Sequence, residues 1–209
     1  MVEIILKYQE QEIPVNVATC WGDATYSQFC ELLRRDSEGT FDQRLMVRMC
    51  VFTGLEPETI RGCSAQTVNL LSNAVAFSFD YKELEECNEA PEEYATFDPG
   101  SEEWGKLELA KQAMQAMQNE NELFCAGHEV VKIYTDVDIT SMPITEVYGM
   151  VNFFIAKSFF SANDSQLFAS MNTRTPKSKP GSKRDFRHSG FFLHFTRFVR
   201  AIRSNTKKC

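Results

Sequence analysis

Residues 25–54 read TYSQFCELLRRDSEGTFDQRLMVRMCVFTG, and this stretch decides the fold. Asp23 or Thr25 can cap the first helix, Thr25 offering a capping box with Gln28 three residues later, and Thr40 with Gln43 is a second such box. In each, a hydroxyl oxygen accepts from a free N–H of the first helical turn while the amide side chain reaches back to the cap. After the first box Tyr26, Phe29, Cys30 and Leu33 recur at i, i+3, i+4 and i+7; after the second, Phe41, Leu45, Met49 and Phe52 recur at i, i+4, i+8 and i+11. Both patterns predict amphipathic helices with these faces inward. Gly54 is suited to end the second helix, because only glycine enters the left-handed region without steric cost.

Working toward the N-terminus, Val2, Ile4, Leu6 and Tyr8 alternate with Glu3, Ile5 and Lys7, and Ile13, Val15 and Val17 alternate beyond Gln9-Glu10-Gln11. This period of two predicts a β-hairpin, with Pro14 confining its second strand to an edge. Toward the C-terminus, Pro57 to Ile60 predicts a short helical turn, and Ser64 opens a helix with Val68, Leu71 and Val75 inward. Residues 1–80 are thus expected to form a β-hairpin plus three-helix domain. Residues 81–102 are expected to be an acidic linker, since from Glu83 to Glu103 there are nine acids, two prolines and no Lys or Arg. Residues 103–172 predict a helical region: a helix with Trp104, Leu107, Ala110, Met114 and Met117 on one side, a short strand from Glu129 to Tyr134, and a long apolar helix started by Ser141 and Pro143. Ile144, Val147, Val151, Phe154 and Ile155 carry the inner face of that last helix. The expected class is α+β, mostly α: an N-terminal β-hairpin packed on helices, a second small helical region and an extended C-terminal tail.

Charge is divided very unevenly. Residues 173–209 hold 11 Lys and Arg against one acid, Asp185, a net +10, whereas residues 1–172 hold 11 against 28, a net −17. The first part of this tail, with Pro, Gly and Ser among its Lys and Arg, has the composition of a flexible basic arm. In residues 191–203, at a helical period, Phe191, Phe195, Phe198, Val199 and Ile202 share one side and Arg197, Arg200 and Arg203 the other. These eight residues are the candidate partner-binding site. Three kinds of partner suit a basic amphipathic helix: nucleic acid, whose phosphates the Lys and Arg neutralise; anionic lipid; or an apolar groove with an acidic rim on another protein. The plain alternative is a basic terminus without structure, which leaves five periodic apolar residues unexplained.

Composition excludes several classes. No uncharged apolar run reaches the roughly 18–20 residues that span a bilayer, the start of the chain lacks the features of a signal peptide, and seven dispersed cysteines without C-x-x-C fit reduced thiols in a cytoplasmic setting. No phosphate-binding glycine loop is present. Asp136 and Asp138 are hard oxygen donors without a third ligand at a recognised spacing, and capping of the next helix by Asp138 or its neighbours suits them better than a metal. His128, His188 and His194 stand apart from any Cys or Glu partner, and Cys30 and Cys50 lie on inward faces, where burial suits them better than reactivity. The expectation is a chain that is not an enzyme, with no catalytic residues, no metal and no cofactor.

Trp21-x-Asp23-x-Thr25-x-x-Gln28-Phe29, followed by Leu45 and by Phe52-Thr53-Gly54-Leu55-x-Pro57-Glu58, resembles a pattern found in small proteins of tailed bacteriophages, and residues 143–154 are similar in the same sense. The families concerned are neck or ring proteins and tail-assembly chaperones, including those of crAss-like phages. The resemblance implies a structural virion protein made in the host cytoplasm, a portal, neck or tail ring component. Its partners would be other virion proteins and copies of itself in a ring homo-oligomer, with DNA contact through the C-terminal tail as a further option and no membrane. The alternatives are a cytoplasmic tail-assembly chaperone and a nucleic-acid-binding accessory protein.

Overall fold

The computed structural model describes residues 1–8, 11–36, 39–89, 92–94, 96–98, 101–115 and 117–161, with side chains to residue 158. The described residues are mostly helical with one two-stranded antiparallel sheet, as expected, and the chain divides into two compact units. The tail expected over residues 173–209 lies outside the described residues.

The first unit comprises Met1–Asn88 and Asp138–Gly149. Strands β1 (Val2–Tyr8) and β2 (Gln11–Val17) pair in the register Val2↔Val17 to Tyr8↔Gln11, which places Leu6, Val15 and Val17 in the core. A 3-10 turn at Trp21–Asp23 leads to α1 (Tyr26–Arg35), and Thr25 and Thr40 both form complete capping boxes, the second opening α2 (Phe41–Thr53). Gly54 closes α2 with φ 71° and returns its N–H to the Cys50 carbonyl. Next come α3 (Pro57–Arg61), α4 (Ala65–Ala74) capped by Ser64, a 3-10 turn at Val75–Phe79, and α5 (Lys82–Glu86). The hairpin packs on helices at both strands, β1 against α4 and β2 against α2. Gly62 lies so close to the Tyr8 ring that a Cβ there would overlap it.

The start of α1 is completed by a segment distant in sequence. Tyr26 N–H donates to the Met142 carbonyl (2.9 Å) and Ser27 N–H to that of Thr140 (3.1 Å), while Gln28 N–H goes to the Thr25 hydroxyl (3.2 Å) and Thr25 N–H to the Gln28 side-chain oxygen (3.0 Å). All four free donors of the first turn are therefore satisfied. In return Ile144 N–H, the first of α8 (Ile144–Ser161), donates to the Ala24 carbonyl (2.8 Å). Trp21 fills the centre of the unit, its indole N–H on the Asp80 carbonyl (2.8 Å) and its ring among Phe29, Phe52, Phe77 and Tyr81.

One charge is buried here. Arg48 is 0% exposed and makes a forked pair with Asp36 (2.8 Å to each oxygen), with its guanidinium 4.0 Å from the Phe79 ring centroid; Arg44 joins the same carboxylate at 3.0 Å. Burial works to raise the Asp36 pKa, but the hydrogen bonds from Arg48 and Arg44 outweigh it and hold the group below its usual range.

The second unit comprises Glu89–Val137 and Met150–Cys209. Its described helices are α6 (Trp104–Gln115), α7 (Glu120–Thr135) and the later part of α8. The short strand expected from Glu129 to Tyr134 is instead the end of α7, in which Leu123, Phe124, Ala126, Gly127, Val130 and Val131 are buried; helical packing overrides the strand preference of the β-branched residues. The acidic segment carries a 3-10 turn at Glu92–Tyr94, and Phe97 packs edge-on to Tyr134 (5.0 Å) and Phe154 (4.9 Å).

Several faces also differ from expectation. Leu32 rather than Leu33 is fully buried in α1, and Leu45 and Val68 are only half-buried. Phe41, at the first position of α2, is 65% exposed and stacks on Phe79. Trp104, at the start of α6, is exposed beneath Lys111, and Met117 falls beyond the helix end. Ile144, Val147, Val151, Phe154 and Ile155 are all buried as expected.

Glu120 stands at the first position of α7 with Oε2 buried and lacking a hydrogen-bond partner, and burial raises its pKa from 4.5 to about 7. Between those values the folded state holds a proton that the unfolded chain has released, so this group's contribution to stability is full below pH 4.5 and falls as pH rises to about 7. The helix N-terminus favours the carboxylate, and the side chain keeps some exposure, so the effect is about 1 kcal/mol. Glu120→Gln is expected to raise the urea midpoint at pH 8 and to leave it nearly unchanged at pH 4. In the first unit, Met49→Ala should cost about 2–5 kcal/mol, and Leu45→Ala and Val68→Ala clearly less, when the three are compared by denaturant unfolding.

Candidate functional site

Strand β1 carries Ile4 and Ile5 in succession. A strand turns successive side chains to opposite faces, so one member of such a doublet must face out. Ile4 is turned partly inward and Ile5 is 55% exposed, opposite Pro14 on β2. Helix α4 repeats the situation with Leu70 and Leu71: Leu71 is buried and Leu70 is 52% exposed. Together with Val2, 48% exposed, these residues border an open groove of about 590 Å³. Its lining is Val2, Glu3, Ile4, Ile5, Thr19, Leu70, Asn73 and Ala74. Four consecutive residues of β1 line it, so the groove runs along that strand. Its charged member is an acid, Glu3. Single exposed apolar residues are ordinary, but several around one concavity mark a contact surface.

Close to the groove, Thr19 donates its N–H (3.2 Å) and its hydroxyl (3.0 Å) to Asp23, which also receives the Met1 amino group. The hydrogen bond from the amino group, followed by those from Thr19, pulls the Asp23 pKa down to about 2. The wall formed by Thr19 is thereby fixed by a carboxylate that stays ionised throughout the ordinary pH range.

The residues considered for chemistry have structural roles in the described part of the chain. Asp136 is the C-cap of α7, with φ 59°, and Asp138 accepts from the Thr140 N–H (3.0 Å) and hydroxyl (2.7 Å). Among the described residues no three His, Cys, Asp or Glu side chains are grouped as a metal site. Cys30 and Cys50 are buried, and burial pushes the Cys50 thiol pKa up, away from nucleophilic thiolate. His128 directs Nδ1 to the Cys125 carbonyl at 3.0 Å. Phe191, Phe195, Phe198, Val199, Ile202, Arg197, Arg200 and Arg203, as well as His188 and His194, lie outside the described residues.

The groove itself was not foreseen from the sequence. The doublets Ile4-Ile5 and Leu70-Leu71 were its signal, because each adds an apolar residue to the polar face of an amphipathic element. Comparison with protein-family models, with curated proteins and with solved structures finds no match to the chain.

Ile5→Thr and Leu70→Asp, at exposed positions, are expected to shift unfolding free energy by no more than about 0.5 kcal/mol each, whereas Leu71→Ala should cost about 2–5 kcal/mol. Urea titrations of the three variants check whether the groove is held for contact rather than for stability.

Proposed function

We propose that the chain is a non-enzymatic structural protein of a tailed-phage virion, a component of a portal, neck or tail ring, held to neighbouring subunits through its basic aromatic C-terminal tail. The observation that carries this reading is the pairing of an apolar groove on an acidic body with a segment of opposite charge and apolar periodicity in the same chain. Such a pairing suits attachment between subunits. The groove's polar lining of Glu3, Thr19 and Asn73 suits recognition better than reaction. The Trp21 to Glu58 motif that resembles phage proteins supports the same reading, its residues acting in caps and packing.

Two further roles remain tied to specific features. A tail-assembly chaperone would use the same groove transiently, and a nucleic-acid accessory protein would use the Lys and Arg of the tail. A mass-spectrometric inventory of purified particles, set beside that of assembly intermediates, separates them. Stoichiometric copies in mature particles are expected. Presence in intermediates alone would make the chain a chaperone, and a copy number that follows packaged genome length would make it a DNA-bound protein.

A further inference from the structure

We infer that the apolar groove between β1 and α4 of one copy receives residues 191–203 of a second copy, with Phe195, Phe198 and Ile202 against Ile5, Val2 and Leu70. The inference rests on the ring-component reading and names the contact that would join its subunits. Three observations carry it. The groove is apolar and open, with surface residues that contribute little to the core of their own unit. Its charged lining residue is Glu3, on a body of net −17, whereas the segment belongs to a tail of net +10. The segment's apolar residues share one side at helical period, so a single face can enter the groove while Arg197, Arg200 and Arg203 stay at its rim toward Glu3.

Reach permits a neighbour as occupant. Residues 162–190 separate the last described helix from the segment, and that length spans on the order of 90 Å when extended, more than the diameter of a body of this size. A groove on one copy filled by a segment of the next is a heterologous contact. Repeated with a closing rotation, it generates a ring.

The test uses the purified full-length chain in sedimentation velocity across a concentration series. Concentration-dependent association is expected, weakened on the order of tenfold or more by Phe195→Ala with Phe198→Ala and equally by Ile5→Asp with Leu70→Asp. Circular dichroism of each variant establishes that it is folded. Mixing the groove variant, which keeps its tail, with the tail variant, which keeps its groove, should give a one-to-one dimer that grows no further. Leu193→Ala should have no effect, because Leu193 lies on the basic side at helical period; a loss equal to that of Phe195→Ala would mean that an extended strand occupies the groove, and would overturn the helical docking. As a second measurement, a labelled peptide of residues 187–204 is titrated into the full chain and into the tail variant. Binding to the tail variant alone, with the full chain monomeric at every concentration, would show that each groove holds its own tail and would overturn the intermolecular contact. Association undisturbed by the groove variants, or present only with added DNA, would overturn the groove itself. These outcomes are independent of the particle inventory: a chain found in virions without this contact sinks the inference alone, and a chain with this contact but absent from virions sinks the functional reading alone.

Discussion

Two helix starts that satisfy each other's backbone hold the first unit together. The free donors at the N-terminus of a helix must find acceptors, and α1 finds two of its four in the carbonyls of Thr140 and Met142. The same meeting places Ile144 N–H on the Ala24 carbonyl, so each helix is begun partly by the other's flank. A bridge between Thr25 and Pro143 marks the centre of the contact, and proline fits there because its missing N–H leaves no donor to satisfy. This exchange explains why Asp138–Gly149 packs with the N-terminal unit although it follows the helices of the second. It also sets the direction in which α1 leaves Trp21, and with it the ring cluster of Phe29, Phe52, Phe77 and Tyr81.

The Arg48 guanidinium is the second constraint. Removing a charge from water is costly unless the geometry of its partner is close to ideal, and the forked hydrogen bonds to Asp36 with Phe79 beneath meet that demand. Such a pair contributes orientation more than net stability. Asp36 is the C-cap of α1 and Arg48 sits mid-way along α2, so the pair fixes the angle of the corner between these helices. Tyr81 lies beside it, and burial raises its hydroxyl pKa, with the nearby Arg48 charge working the other way. The Nε of Arg48 lacks a hydrogen-bond partner, which the face-on contact with Phe79 accompanies.

Local features were legible in the sequence and long-range ones were not. Capping boxes are i, i+3 devices, so Thr25 with Gln28 and Thr40 with Gln43 declare themselves within one turn, and Gly54 does so through its backbone freedom alone. The pairing of residues 24–27 with 140–144 has no local signature, because its donors and acceptors are all backbone. Phe41 and Trp104 fell on the wrong side for a common reason: each opens its helix, where the side chain overhangs the end and the periodic face does not yet constrain it. Residues 129–134 look like a strand because Val130, Val131 and Ile133 are β-branched, yet the Asn119 cap ten residues upstream had already committed that stretch to α7. Phe97 shows how an acid-rich stretch can still be anchored, one aromatic among carboxylates packing on Tyr134 and Phe154.

An exposed apolar groove invites indiscriminate association, and the charge of the body works against that. Bodies carrying −17 each over residues 1–172 repel at distances up to roughly the Debye length, about 8 Å at physiological ionic strength, so two bare grooves do not readily meet. A segment of opposite charge is exempt from this repulsion and is drawn toward the same surface. On the proposed reading the two components divide the work: the arginines govern how fast a tail finds a groove and make that rate salt-dependent, while the buried aromatic contact governs how long it stays. Specificity then comes from the combination, since a basic chain without the apolar face would leave quickly and an apolar chain without the charge would arrive slowly. The Ile4-Ile5 and Leu70-Leu71 doublets acquire a physical reason in this arrangement, Leu71 building the core and Ile4 turning partly inward while Ile5 and Leu70 are left for a partner whose charge identifies it.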